Sequence, residues 1–130
     1  MLKSALVFLG AGGGGLLRYW LGLLVQGWWG RGFPLGTLLI NLTGCLVIGF
    51  LGSAWYGPAP VRDELRLLVL VGVLGGYTTF SSFGRETILL AQQGEWAQAG
   101  LYVGLSVVVG IVCVWLGVIA AGWVFGGAKA

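Results

Sequence analysis

Apolar residues fill most of this chain in long stretches, which short polar segments separate. A helix needs about 20 apolar residues to cross the hydrocarbon core of a bilayer. We predict four membrane-spanning helices, at Ser4–Trp28, Phe33–Trp55, Leu65–Gln92 and Trp96–Phe125. The pattern therefore indicates an all-α membrane protein, a single four-helix domain over residues 1–130 with both termini on one side of the membrane.

Composition agrees with this class and excludes several others. Hydrophobic residues make up 58% of the chain and charged residues 8%, whereas soluble proteins are about 25% charged. Almost all of the chain belongs to the predicted spans, so no part outside the membrane is large enough for a soluble catalytic site. We therefore expect that the protein is not an enzyme. There is no His, and Cys45 and Cys113 lie singly inside spans, which argues against a cluster of metal ligands. The basic residues are too few and scattered for a nucleic-acid partner.

The basic residues divide almost evenly between the two sides of the membrane. Four lie on the side of the termini (Lys3, Arg62, Arg66, Lys129) and three towards the other side (Arg18, Arg31, Arg85). Because Lys and Arg near span ends set orientation, this near tie predicts that copies insert both ways up. Two oppositely inserted copies could pair as an antiparallel homodimer with inverted symmetry. The alternative is one orientation with cytoplasmic termini.

Polar and helix-weakening residues interrupt the third span at Gly75–Phe83. Irregular backbone persists at membrane depth only where protein buries it or where it lines a wet or ion-bearing cavity. Broken helices near the midplane hold ions in transport proteins. The segment therefore predicts a third helix that is broken near the midplane. The alternative is a packing kink that Ser and Thr side chains relieve.

Neutral hydrogen-bond donors recur four residues apart on two spans, Thr37 with Asn41 and Tyr102 with Ser106. Residues at this spacing share a helix face, so each pair forms a short polar stripe. Such donors suit a small anion, and without a buried fixed positive charge the anion is held weakly enough to leave. The alternative for each residue is an interhelical hydrogen bond.

Two aromatic residues, Phe80 and Phe83, lie three residues apart after the break. The edges of aromatic rings are positive and the faces negative, so these rings could line an anion path with their edges. The alternative is ordinary packing. Glycines at small-xxx-small spacing predict close helix contacts for three pairs: Gly10 with Gly14, Gly72 with Gly76, and Gly100 with Gly104.

With these residues the chain resembles the Fluc (CrcB-type) fluoride channels, small four-span proteins that work as antiparallel, dual-topology homodimers. The most specific match is Gly75-Gly76-x-Thr78-Thr79-Phe80-Ser81-Ser82-Phe83. Further matches are Gly10, Gly14, Arg18 and Tyr19 in the first span, and Gly36, Thr37, Leu38, Asn41 and Gly44 in the second. Ala11, Gly15 and Ser82 depart mildly from the family pattern but keep small or hydroxyl side chains.

The resemblance implies a fluoride-selective channel that exports fluoride passively across the bacterial plasma (inner) membrane. It implies a structural sodium ion at the dimer centre, held by the backbone carbonyls of Gly75 and Thr78 from both subunits. The implied fluoride pathway comprises Asn41, Phe80, Phe83, Thr37, Tyr102 and Ser106, and the implied vestibule residues are Arg18 and Glu86. For Glu86, a local ion pair with Arg85 is a second interpretation.

Three rival interpretations fit less of the sequence. A small multidrug exporter needs a membrane-embedded acid in the first span, and Ala5–Leu17 contains none. A glycine-zipper scaffold explains the glycines but leaves Asn41, Tyr102 and Ser106 without a shared face. A signal peptide would have its small-residue region after Leu9, but the apolar character resumes past Arg18 and continues through Val25.

Overall fold

The computed structural model of the chain describes residues 1–29 and 32–126, and every regular element in these ranges is a helix. Four segments are long and apolar enough to cross a membrane: Leu2–Trp28, Leu35–Tyr56, Asp63–Gln92 and Trp96–Phe125. Each end agrees with the predicted span to within two residues. The prediction of an all-helical protein with four spans is thereby confirmed for the described ranges. Arg31 and Lys129, which entered the count of basic residues, lie outside them.

Helices α1 (Leu2–Trp29) and α2 (Leu35–Tyr56) are uninterrupted. α1 stays helical through a run of glycines because hydrocarbon offers the backbone no other hydrogen-bond partners, which outweighs the weak helix propensity of glycine. Pro34 directly precedes α2, where its missing N–H costs nothing because the first N–H groups of a helix have no intrahelical partner.

The third span consists of two helices. α3 covers residues 63–77 and includes a π-helical stretch, Leu67–Val73. α4 covers Phe80–Gln92. Between them the backbone is extended at Thr78 (φ −80°, ψ 157°) and Thr79 (φ −153°, ψ 116°). The polar segment at Gly75–Phe83 therefore contains a change from helical to extended backbone.

A tight turn joins α4 to the last helix. Gly94 has φ +83°, a conformation that glycine adopts without strain, and Glu95 N–H donates to the Leu90 carbonyl at 2.9 Å. α5 follows over residues 96–125, with a π-helical stretch at Leu105–Val109. The turn brings the start of α5 back along α4, so that Tyr102 packs against Phe83.

Glycines bring α1 and α3 into backbone contact. A Cβ atom on Gly72 would lie 2.9 Å from the Gly10 Cα, and one on Gly14 would overlap the carbonyl oxygen of Val73. Gly76 meets the backbone of α1 in the same way. The first two predicted glycine pairs therefore do allow close helix packing.

The third predicted pair makes no such contact with the described parts of this chain. A Cβ atom on Gly100 or Gly104 would meet no atom of the described ranges within 4 Å, because these glycines lie on an open face of α5. The close contact of α5 with α2 instead uses Gly49 and Gly117, where an added Cβ would overlap carbonyl oxygens of the opposite helix.

A cluster of buried core residues lies where α2, α4 and α5 meet, and comprises Leu38, Phe83, Leu90, Ala99 and Tyr102. Most other large apolar side chains are exposed, as expected for helices that face lipid. Trp28 and Trp96 are exposed at span ends, where an interfacial aromatic belt would place them. Trp29 and Trp55 also stand at span ends; Trp55 is half-buried, and the side chain of Trp29 lies outside the described part of the structure.

Candidate functional site

Asn41 on α2 holds the backbone of the extended segment. Its Nδ2 donates to the Thr79 carbonyl at 3.0 Å, and its Oδ1 accepts from the Thr79 N–H at 2.8 Å. Thr79 is buried, and at membrane depth these two backbone groups have no water to bond. The Asn41 amide therefore supplies the partners that Thr79 loses by leaving the helix.

The hydroxyl groups around the break satisfy the ends of the two helices. Thr79 Oγ1 accepts from the Ser82 N–H at 3.3 Å and so caps the start of α4, a position that Thr favours. Its hydroxyl also donates to Ser82 Oγ at 3.1 Å. Thr78 Oγ1 donates to the Leu74 carbonyl at 3.0 Å, at the end of α3. The run of hydroxyl residues thus stabilises the interruption itself.

A cavity of about 380 Å³ lies beside the break. Residues from α2, from the third span and from α5 line it. They include six of the residues that the sequence predicts for the site: Asn41, Gly75, Thr78, Phe80, Phe83 and Ser106. The structure therefore brings together the polar, aromatic and carbonyl groups that the sequence scatters over three spans.

The two phenylalanines of this cavity differ in burial. Phe83 is 9% exposed and packs against the Tyr102 ring, with centroids 5.2 Å apart. Phe80 is 82% exposed, although its ring centroid lies 5.4 Å from that of Phe83. Their planes are inclined at 50°. Phe83 is consequently fixed within this chain, whereas Phe80 has most of its surface available for a further contact.

Ser106 presents a hydroxyl to the same cavity. Its Oγ is buried and has no hydrogen-bond partner within residues 1–29 and 32–126. Leaving such a group unsatisfied costs about 1–3 kcal/mol, and buried polar groups of native proteins nearly always have a partner. Ser106 is therefore free to donate to a species inside the cavity.

A larger cavity of about 690 Å³ adjoins the smaller one, and Thr79 lines both. Both predicted vestibule residues, Arg18 and Glu86, line the larger one. Thr37 lines it too, whereas Asn41, one helical turn further along α2, lines the smaller one. The donors that the sequence places on one stripe are therefore divided between two cavities.

Glu86 connects two of the predicted donors. Its carboxylate accepts from Thr37 Oγ1 at 2.8 Å and from the Tyr102 hydroxyl at 2.7 Å. The alternative ion pair with Arg85 is absent from the described part of the chain, since consecutive helical residues point about 100° apart. Tyr102 is fully buried between Phe83 and Glu86. Tyr102 is therefore linked to the site by its ring contact with Phe83 and by its hydrogen bond to Glu86.

Backbone carbonyls at the end of α3 suit a hard cation. The Thr79 N–H would bond to the Gly75 carbonyl in a continuous helix, but it bonds to Asn41 instead. The Thr78 carbonyl accepts one long bond, 3.4 Å from Arg18 Nη1. The C-terminal end of a helix is partially negative, and such ends coordinate sodium in transporters. The carbonyl oxygens of Gly75 and Thr78 are therefore ligands of a type that suits a sodium ion.

The family model described as "CrcB-like protein, Camphor Resistance (CrcB)" matches residues 5–118 of this chain. The chain belongs to the CrcB family. Among its relatives, the "Fluoride-specific ion channel FluC" of Paramagnetospirillum magneticum is 45% identical over 123 residues, which cover 93% of this chain and 96% of the relative.

Two further CrcB relatives have the same name. That of Rhodospirillum rubrum is 45% identical over 119 residues, covering 88% of this chain and 92% of the relative. That of Coxiella burnetii (strain Dugway 5J108-111) is also 45% identical over 119 residues, covering 91% and 96%. CrcB membership confirms the resemblance that the sequence motifs indicate, and it excludes the multidrug exporter and the scaffold.

The structure shows further residues at the CrcB site to which the sequence analysis gives no role. Thr79 is the main one, because it bonds Asn41, caps α4 and lines both cavities. A capping signal was available in the sequence, since Thr79 stands directly before a helix and three residues ahead of Ser82. The hydroxyls of Thr43 and Tyr77 lie 2.8 Å apart and join α2 to α3. No local pattern predicts that contact.

Proposed function

We propose that this protein is a fluoride channel that lets fluoride leave the cell passively and thereby lowers cytoplasmic fluoride. The main support is the identity of 45% over 93% of the chain with a relative named for fluoride-specific conduction. The protein is a multi-pass membrane protein of a channel family, and it is not an enzyme. We place it in the bacterial plasma membrane, as its relatives are bacterial.

The smaller cavity is the proposed place where fluoride loses its water. Fluoride is small and strongly hydrated, so several close donors must replace the water shell. Asn41 has a second Nδ2 hydrogen beyond the one that Thr79 accepts, and Ser106 has an unused hydroxyl. The positive ring edges of Phe80 and Phe83 add weak attraction without a fixed charge. This combination would bind fluoride and still release it.

Thr37 and Tyr102 serve the pathway through Glu86. Both hydroxyl protons point to its carboxylate, and a carboxylate repels fluoride. By bonding this group on the side of the larger cavity, the two hydroxyls keep its charge away from Asn41. Arg18 lines the same cavity and offsets part of the negative charge. The larger cavity then acts as the aqueous vestibule.

The functional unit is proposed to be an antiparallel homodimer with a central sodium ion. Phe80 is 82% exposed and Gly75 is also exposed, although both line the proposed pathway. A second copy in the opposite orientation would cover them and would add its own Gly75 and Thr78 carbonyls. A sodium ion near the midplane would attract the carbonyl oxygens of both copies and so hold their two extended segments together. Two pathways per dimer follow from the symmetry.

Ion efflux from liposomes tests the substrate. Purified protein should release fluoride, measured with a fluoride electrode, while chloride under the same gradient stays inside. Equal release of both ions would refute the fluoride assignment. A cysteine added at the C-terminus tests the dimer separately. It should react with impermeant reagents from both sides of the membrane, and labelling from one side alone would refute dual insertion.

A further inference from the structure

Two guanidinium groups line the larger cavity, one from α1 and one from α4. Arg18 is half-buried and donates to the Thr78 carbonyl at 3.4 Å. Arg85 is exposed and follows Phe83 by two residues on α4. Both residues line the same space of about 690 Å³. A guanidinium group is positively charged and only donates hydrogen bonds, so both side chains attract anions.

The one acid among the described lining residues, Glu86, offsets only one of these two positive charges. The Glu86 carboxylate is bonded by Thr37 at 2.8 Å and by Tyr102 at 2.7 Å. Within residues 1–29 and 32–126, the structure contains no ion pair between Arg85 and an acid. Among the described lining residues, Arg18, Arg85 and Glu86 therefore sum to a net charge of +1.

The position of Arg85 suits an action at a distance. A cleft of one sign with low-dielectric walls focuses its field and raises the local concentration of counter-ions. An exposed guanidinium keeps its hydration and holds a small anion loosely. Arg85 lines the vestibule cavity and is not among the residues that line the cavity of Asn41 and Ser106. Its charge can therefore attract an anion without trapping it inside the pathway.

We propose that Arg85 is an anion-capture residue, which concentrates fluoride in the vestibule before the ion enters the pathway. The proposal rests on the proposed function, because it assigns Arg85 to the entry step of fluoride conduction. Capture acts on any small anion, whereas the donors and ring edges of the smaller cavity select fluoride. Loss of Arg85 should therefore change the concentration and salt dependence of flux and leave the preference over chloride unaltered.

Fluoride efflux from liposomes with purified Arg85→Gln tests the proposal over a range of fluoride concentrations. In about 10 mM of an impermeant salt, where the Debye length is about 30 Å, half-maximal flux should need roughly 3–10 times more fluoride than in the wild type. The maximal flux should be unchanged. In about 1 M salt the Debye length falls to about 3 Å, so the two proteins should behave alike.

Two further variants separate charge from structure. Arg85→Lys keeps the positive charge and should restore nearly wild-type flux. Arg62→Gln removes an exposed arginine from the connection between α2 and α3, outside the residues that line the larger cavity. It should change the concentration dependence far less than Arg85→Gln does.

The possible outcomes are distinct. An unchanged half-maximal concentration in Arg85→Gln would overturn the capture role. So would a loss of maximal flux that persists at every salt concentration, because that would indicate a structural role. If wild-type protein passes no fluoride, the proposed function fails and the role of Arg85 fails with it. Wild-type flux combined with unaffected Arg85→Gln flux refutes the capture role alone.

Discussion

Replacing Asn41 with leucine should destabilise the break in the third span. The substitution introduces an apolar side chain of similar size and removes both hydrogen bonds to the Thr79 backbone. Each buried group left without a partner costs about 1–3 kcal/mol. Because Thr79 is only 8% exposed, water cannot replace either bond, and the two groups together should lower the free energy of unfolding by about 2–6 kcal/mol.

Asn41→Asp should separate backbone support from ion passage. The carboxylate can still accept from the Thr79 N–H, so about half of the loss in stability should disappear. Fluoride passage should suffer more, because the carboxylate repels fluoride by about 4 kcal/mol at 4 Å for an effective dielectric constant of 20. That energy corresponds to a decrease of about a thousandfold in the occupancy of the site by fluoride.

The assay combines unfolding of the purified protein in detergent with fluoride efflux from liposomes. Thr87→Val is the matched control, because its hydroxyl bonds only within α4, to the Phe83 carbonyl at 2.8 Å. We expect wild-type stability within about 0.5 kcal/mol and wild-type flux for this control. Unchanged stability in Asn41→Leu would refute the proposed support of the break. Robust fluoride flux in Asn41→Asp would remove Asn41 from the pathway.

Two further predictions concern the aromatic rings and the helix contacts. Phe80→Ile and Phe83→Ile keep apolar bulk but lose the positive ring edges, so fluoride efflux should fall at least about tenfold, whereas Phe50→Ile should leave it near the wild-type rate. Normal efflux in both single variants would exclude the rings from the pathway. Gly49→Ala should lower the unfolding free energy by about 1–3 kcal/mol, since its Cβ would overlap the Val114 carbonyl. Gly100→Ala should be tolerated, and equal stabilities in detergent would contradict this assignment of the close contact.

The spans and the unusual segment of α3 and α4 could be predicted because their causes are local. Bilayer thickness dictates the length of an apolar run, and hydroxyl residues beside glycines weaken a helix wherever they occur. The bond between Asn41 and Thr79 joins residues 38 positions apart, so the sequence indicated a donor without indicating its acceptor.

The other differences between expectation and structure arise because the sequence does not specify which residues of neighbouring helices bond or pack together. Glu86 has a neighbouring arginine, yet it bonds Thr37 and Tyr102 because α2 and α5 bring those hydroxyls to its face of α4. Gly100 and Gly104 have the spacing typical of close packing, but the spacing does not specify which face of α5 meets α2. The contact uses Gly117 instead. Such choices depend on the mutual rotation of packed helices, which local spacing leaves open.

Thr79, as the residue shared by both cavities, has an electrical consequence. Water in the larger cavity, the proposed vestibule, would equalise potential along that cavity, so much of the voltage across the membrane would fall over the dehydrated part of the pathway, which begins at Thr79. A monovalent ion that crosses the full potential gains about 2.3 kcal/mol per 100 mV. Much of that energy would act on fluoride as it passes Thr79 from the vestibule into the smaller cavity. Current–voltage curves that change shape on substitution of Thr79 would be the measurable sign of this focused field.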